Sequence, residues 1–233
     1  MKLVTFLDDY GAARIGALTT DLGSIVDLAA AANMLGRDAG PDFESMLALI
    51  DGGPTALELA KAVFDDAPPG AMRGYGETKL LSPVPEPRQM RDAMAFEKHV
   101  LQAISAIYRR NAAQSDNPEE TLRRYEADGL MKPPPIWYQQ PIYYKCNRFS
   151  VVGDGTDVIW PSYSELMDYE LEFGIFIGKG GKDIPAERAR EHIFGYTIFN
   201  DFSARDAQMA EMAAKGGLLL LLPIQTSTAC SRK

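Results

Sequence analysis

Apolar positions along this chain change period several times, and each change marks an element. Residues 2–7 read as a strand, Asp9-Tyr10-Gly11 as a turn, and residues 14–19 as the hairpin partner. Ile25-Val26-Asp27-Leu28 predicts a third short strand leading into an alanine-rich helix near 28–35. Residues 43–50 and 56–64 carry apolar side chains at helical spacing. Together these predict a small mixed α/β domain over residues 1–65. Proline then breaks the pattern. Pro68-Pro69-Gly70 and Ser82-Pro83-Val84-Pro85-Glu86-Pro87 hold extended backbone and remove N–H donors, which predicts a linker over 66–88.

Beyond the prolines, residues 93–114 are the strongest helix candidate, with Phe96, Val100, Ile104 and Ile107 on one stripe. Asn117-Pro118-Glu119-Glu120 reads as a second helix start, with proline in the first turn and acids near the positive end of the dipole. Pro133-Pro134-Pro135 closes that excursion. Strand-like runs follow at 142–144, 151–152, 158–160, 170–177 and 194–199, with a short helix near 186–192. Strands outnumber helices here, so the expected class is α+β, with a β-rich domain over 89–215 and an atypical tail over 216–233.

Composition narrows the function. The 233 residues are 46% hydrophobic and 24% charged, ordinary for a soluble globular protein. The formal net charge is -8, and the basic residues are scattered. Such a chain lacks the basic face needed to displace counterions from phosphates, so neither nucleic acid nor an anionic membrane is an expected partner. Cys146 and Cys230 lie too far apart for a zinc spacing or a disulfide framework, and a reducing cytoplasm is the default. The N-terminus turns acidic after residue 7, too soon for a signal peptide. The leucine run at 218–222 is far short of the roughly 20 apolar residues that span a bilayer.

Three segments carry candidate chemistry. In Asp168-Tyr169-Glu170-Leu171-Glu172-Phe173-Gly174-Ile175-Phe176-Ile177, strand alternation puts Leu171, Phe173, Ile175 and Ile177 on one face and Glu170 and Glu172 on the other. Paired carboxylates repel unless a cation lies between them, and oxygen-only ligands suit a hard ion such as Mg²⁺ or Ca²⁺. A merely solvated strand face is the competing reading. In the second segment an apolar strand ends at Asp201, and Ser203 reads as an N-cap with Asp206 as an acidic capping-box partner. Arg205 and Gln208, three apart, would face one way on the helix that follows. The plain alternatives are a turn-forming Asp201 and a surface Arg205. In the third segment Asp92 and His99 are seven apart, placing them on one helix face about 10 Å apart along the axis. That separation suits a carboxylate on a metal and a base across a bound substrate. Against it stand an N-capping Asp92 and an exposed His99.

Taken together, these motifs resemble the fumarylacetoacetate hydrolase family. The resemblance rests on Asp168-Tyr169-Glu170-Leu171-Glu172 with Gly178-Lys179, on Gly195-Tyr196-Thr197, on Asn200-Asp201-Phe202-Ser203-Ala204-Arg205-Asp206-Ala207-Gln208, and on Arg91-Asp92 with His99. It covers about residues 1–215. It implies a β-rich roll, commonly a homodimer, with one Mg²⁺ (or Ca²⁺ or Mn²⁺) bound by Asp92, Glu170, Glu172 and Asp201. His99 would be the general base that activates water. Arg205 and Gln208 would hold the oxygens of a small 1,3-dicarbonyl or 2-oxo acid substrate whose C–C bond is hydrolysed. Isomerase, hydratase and decarboxylase chemistries share this metal site in the family.

After Lys215 the sequence departs from the family pattern. Gly216-Gly217, five leucines and a polar tail stand where members continue through a further strand-rich third. That third carries an oxyanion-site lysine and a glutamate partner for the base, and neither is assignable here. A shifted reading frame or an early stop is the expected cause, with a real shortened variant as the alternative. A non-catalytic metal-binding or subunit-interaction remnant is therefore the rival to the enzyme.

Overall fold

The computed structural model describes residues 1–213 and 226–228, with residues 212, 213 and 226–228 described by backbone alone. The tail expected over 216–233 lies outside the described residues except at 226–228. The chain divides into two compact units, Met1–Arg88 with the chain from Asn147, and Gln89–Cys146.

The first unit opens with β1 (Lys2–Leu7), β2 (Ala13–Leu18) and β3 (Ser24–Asp27), followed by α1 (Leu28–Met34), α2 (Met46–Asp51) and α3 (Gly53–Asp65). These elements match the periodicity to within a few residues. β4 (Met72–Gly74) then pairs antiparallel with β3 and completes a sheet of order β1-β2-β3-β4. The proline-rich stretch therefore contributes a strand.

Gly11 closes the first turn at φ +79°, a conformation that favours glycine. Its turn is fixed by Asp8, whose Oδ1 accepts from the backbone N–H groups of Tyr10 and Ala12. Ile15, Val26, Leu28, Leu49 and Val63 pack between sheet and helices, each at most 1% exposed. Asp27 ends β3 and caps α1. Its Oδ1 accepts from Ala30 N at 2.9 Å, and its carboxylate receives Arg14 Nε at 2.6 Å and Nη2 at 2.9 Å. The Asp27 contact outweighs desolvation and raises the pKa of Arg14.

The second unit contains β5 (Arg91–Ala93), α4 (Glu97–Ala113), α5 (Pro118–Ala127), α6 (Pro135–Gln139) and β6 (Tyr143–Lys145). α5 begins at Pro118, as the sequence predicts. α4 does not begin at 93. β5 pairs antiparallel with β6, placing Asp92 opposite Tyr144, and Met94 N extends the ladder by donating to Ile142 O at 3.1 Å. Backbone committed to that ladder is unavailable to a helix, so α4 starts only at Glu97. Asp92 and His99 consequently do not share a helix, which corrects the spacing argument made for them.

The first unit resumes with β7 (Val151–Val152), β8 (Met167–Ile177), β9 (Ile193–Ala204), α7 (Arg205–Ala213) and β10 (Thr226–Thr228). The sheet order is β7-β10-β9-β8, dominated by the long antiparallel β8–β9 ribbon. Residues 158–160 form no strand; Trp160 Nε1 instead donates to Ser164 O. A short 3-10 helix, Ala186–His192, precedes β9. The architecture is α+β, as expected.

The β8 alternation is present, with its apolar side outward. Leu171 is 78% exposed and Phe173 59%, whereas Glu170 and Glu172 are half-buried. Phe176 and Phe194 pack on the core of the β1–β4 module. Side chains alternate with period two, so fixing Phe176 inward also fixes Glu170 and Glu172 on the covered side.

Candidate metal centre

The β8–β9 register builds the site. Glu170 is the Cα partner of Asp201, and Glu172 that of Phe199. Directly opposed residues in an antiparallel pair share a face, with Cβ atoms about 4.5–5.5 Å apart. Glu170 and Asp201 therefore confront each other, and Glu172 follows two residues along the same face. Asp201 is only 2% exposed, and the Glu170 side chain 23%. Carboxylates so enclosed are costly unless positive charge compensates them.

Arg205 supplies part of that charge. It is the first residue of α7, and its backbone N–H donates to Leu166 O at 2.8 Å. Its Nη1 donates to Glu170 Oε1 at 2.5 Å and to Gln208 Oε1 at 3.1 Å, and its Nε to Asp168 Oδ2 at 2.9 Å. Arg205 and Gln208 thus face one way, as their spacing implied. Burial opposes the charge on Arg205, but the Glu170 and Asp168 carboxylates outweigh it and raise its pKa. The carboxyl of Asp168 is held below its ordinary value, first by the Tyr169 backbone N–H and then by Arg205.

Ser203 does not cap α7. It is a buried β9 residue paired with Asp168, because the ribbon runs to Ala204 before the helix starts. Asp206 ties α7 to the segment entering β8 instead. It accepts from Ser164 Oγ at 2.6 Å and Glu165 N at 2.7 Å, and these bonds hold its pKa low.

The remaining candidates lie in the second unit. Asp92 is half-buried in β5 and accepts a hydrogen bond from Tyr144 Oη. His99 is exposed in the first turn of α4. Sequence reasoning missed Tyr144 as a partner of Asp92, since cross-strand pairing carries no local signal. It also missed Asp168 as the carboxylate bracing Arg205, although strand alternation already put Asp168 on the Glu170 face. The first unit brings Glu170, Glu172, Asp201, Arg205 and Gln208 together. Its carboxylates, set on one covered face by the β8–β9 register, are an oxygen donor set that fits a hard divalent cation. An apolar groove of about 750 Å³, lined by Leu3, Leu57, Phe173, Tyr196 and Ile198 among others, includes none of the candidate site residues.

Residues 110–226 match the family model of the fumarylacetoacetate hydrolase C-terminal domain. The match contains Glu170, Glu172, Asp201, Arg205 and Gln208, begins after Asp92 and His99, and extends past Lys215. The mitochondrial oxaloacetate tautomerase fahd2 of Xenopus laevis is 29% identical over 212 residues, covering 90% of this chain and 54% of the relative. A fumarylacetoacetase of Oryza sativa is 38% identical over 102 residues, 36% of this chain and 24% of that one. The maleylpyruvate hydrolase of Sphingobium sp. SYK-6, solved with manganese(II) and pyruvate, shares the fold. It has a TM-score of 0.56 at 16% identity, with 99% of this chain and 65% of that chain covered. The chain thus spans about half the length of the tautomerase it matches along most of its own length. No helix of the described residues is long and apolar enough to cross a membrane.

Proposed function

Since this chain belongs to the fumarylacetoacetate hydrolase family, we propose that it carries the divalent-cation site of an enzyme hydrolysing a C–C bond in acylpyruvates or related 2-oxo or 1,3-dicarbonyl acids. The observation that carries this reading is the opposition of Glu170 and Asp201 across the β8–β9 ladder, with Glu172 beside them. Mg²⁺, Mn²⁺ or Ca²⁺ there would polarise a ketone or enolate oxygen and stabilise charge developing as the bond breaks. Arg205 and Gln208 adjoin Glu170 and supply donors for substrate oxygens. Asp92 and His99 keep the roles the resemblance gives them, carboxylate ligand and general base. In that role the His99 imidazole would take a proton from water. A homodimer in the cytoplasm remains the expected setting.

Calorimetric titration with Mg²⁺ and Mn²⁺, beside a Glu170→Gln/Glu172→Gln double variant, tests the site without knowledge of the substrate. Saturable binding lost in the variant supports the reading; no binding by a folded wild-type chain removes it. Acylpyruvates assayed by loss of enol absorbance, with and without EDTA, then test the reaction. His99→Ala should abolish turnover and spare cation binding.

The likeness to a protein named as an oxaloacetate tautomerase, over most of this chain, favours a second reading. In it the same residues catalyse keto–enol exchange. Catalysed exchange of oxaloacetate without cleavage of any acylpyruvate would select it over hydrolysis.

A further inference from the structure

We propose that Asp168 is a positioning residue for Arg205, holding one edge of the guanidinium so that Nη1 faces the candidate ligand row where a 2-oxo acid would bind; this rests on the metal and oxo-acid reading of the ribbon. Neither the family motif roles nor the proposed ligand set gives Asp168 a task. Its geometry does. Asp168 Oδ1 accepts from the backbone N–H of Tyr169 at 2.8 Å, which locks the carboxylate to its own strand. Asp168 Oδ2 accepts a hydrogen bond from Arg205 Nε at 2.9 Å and forms an ion pair with Arg205 Nη2 at 2.9 Å. The other end of the residue is tied to the strand entry by the bond from Arg205 N to Leu166 O.

Two of the three guanidinium nitrogens are thus engaged by the brace. The third, Nη1, points toward Glu170 and Gln208, the direction of the candidate ligands. A planar guanidinium held along one edge has lost most of its rotational freedom, so little further ordering is needed when Nη1 exchanges a protein acceptor for a ligand oxygen. Asp168 sits two residues before Glu170 on the same strand face, so brace and ligand row are held by one rigid element.

Charge gives the experiment a sign. Asp168→Asn removes a negative charge near the position of a bound carboxylate. Electrostatics alone would then tighten anion binding. Loss of the brace loosens it. Wild type, Asp168→Asn, Arg205→Ala and the double variant are titrated calorimetrically with Mn²⁺, then with pyruvate at saturating Mn²⁺. Asp168→Asn is expected to weaken pyruvate by about tenfold or more, the scale of a hydrogen bond to a charged group. Its Mn²⁺ affinity should change far less, which also certifies a folded ribbon. In the Arg205→Ala background the same substitution should do nothing further to pyruvate. Asp168→Glu, which keeps the charge on a longer arm, should fall between.

Wild-type pyruvate affinity in Asp168→Asn, or an equal loss with and without Arg205, overturns the proposal while leaving the metal site standing. Loss of Mn²⁺ uptake in Asp168→Asn also overturns it, because Asp168 would then serve the cation or the fold. A wild-type protein that takes up neither Mn²⁺ nor pyruvate sinks the metal-site reading and this one with it.

Discussion

Glu170 on β8 and Asp201 on β9 are register partners in one antiparallel ladder, two carboxylates opposed on a covered face. Like charges directly opposite destabilise a sheet. Arg205 reaches Glu170 from α7, and a divalent cation would add the larger compensation.

Asp201→Asn removes one of the opposed charges with little change of shape. In EDTA the variant should melt no lower than wild type. Wild type should gain stability on adding Mg²⁺ or Mn²⁺, by about 2.7 kcal/mol at a hundred times the dissociation constant. The variant should lose most of that gain. Thermal melts across a cation series read both effects, and an undiminished shift in Asp201→Asn would remove it from the ligand set.

The Asp206 tether should show itself at acid pH. Its folded pKa is depressed, so its contribution is fully present above the ordinary aspartate value and is lost as pH falls below roughly 3.9. Asp206→Asn should therefore lower the melting temperature at neutral pH, with the difference from wild type shrinking below that point. A difference that stays constant down to pH 2 would assign the effect to packing.

Leu171 projects from the outward side of β8. Leu171→Thr puts a β-branched strand former in place of leucine, so stability should change by no more than about 0.5 kcal/mol if that face meets solvent. Urea unfolding measures it. A loss of several kcal/mol would mean that another chain or segment covers the face in solution.

Gly16 lies where β3 presses on β2. A Cβ there would fall 2.6 Å from Ile25 Cγ2 and 2.7 Å from Val26 O. One of these neighbours is backbone, so the strain is not relieved by turning a side chain. Gly16→Ala should cost about 1–3 kcal/mol, read from the urea midpoint at unchanged slope.

Much of this was legible in the sequence. Period-two and helical patterns gave β1 to β3 and α1 to α3 to within a few residues, because apolar spacing follows the period of the element itself. Proline placed the start of α5. The Glu170/Glu172 spacing gave a shared face, and the Arg205/Gln208 spacing a shared direction. Both are properties of local geometry.

Tertiary contacts decided the rest. The start of α4 moved from 93 to 97 because Met94 bonds to Ile142, nearly fifty residues away, and no local propensity carries that information. Ser203 became a strand residue because β9 runs on to Ala204 beside β8, where the local reading offered a cap. Strand periodicity fixed which β8 residues share a face, since the alternation belongs to the extended chain itself. Which face is covered was settled only when Phe176 and Phe194 packed on a core built by residues from the other end of the unit. The same contacts turned the carboxylates inward, where an opposing charge has the greatest effect.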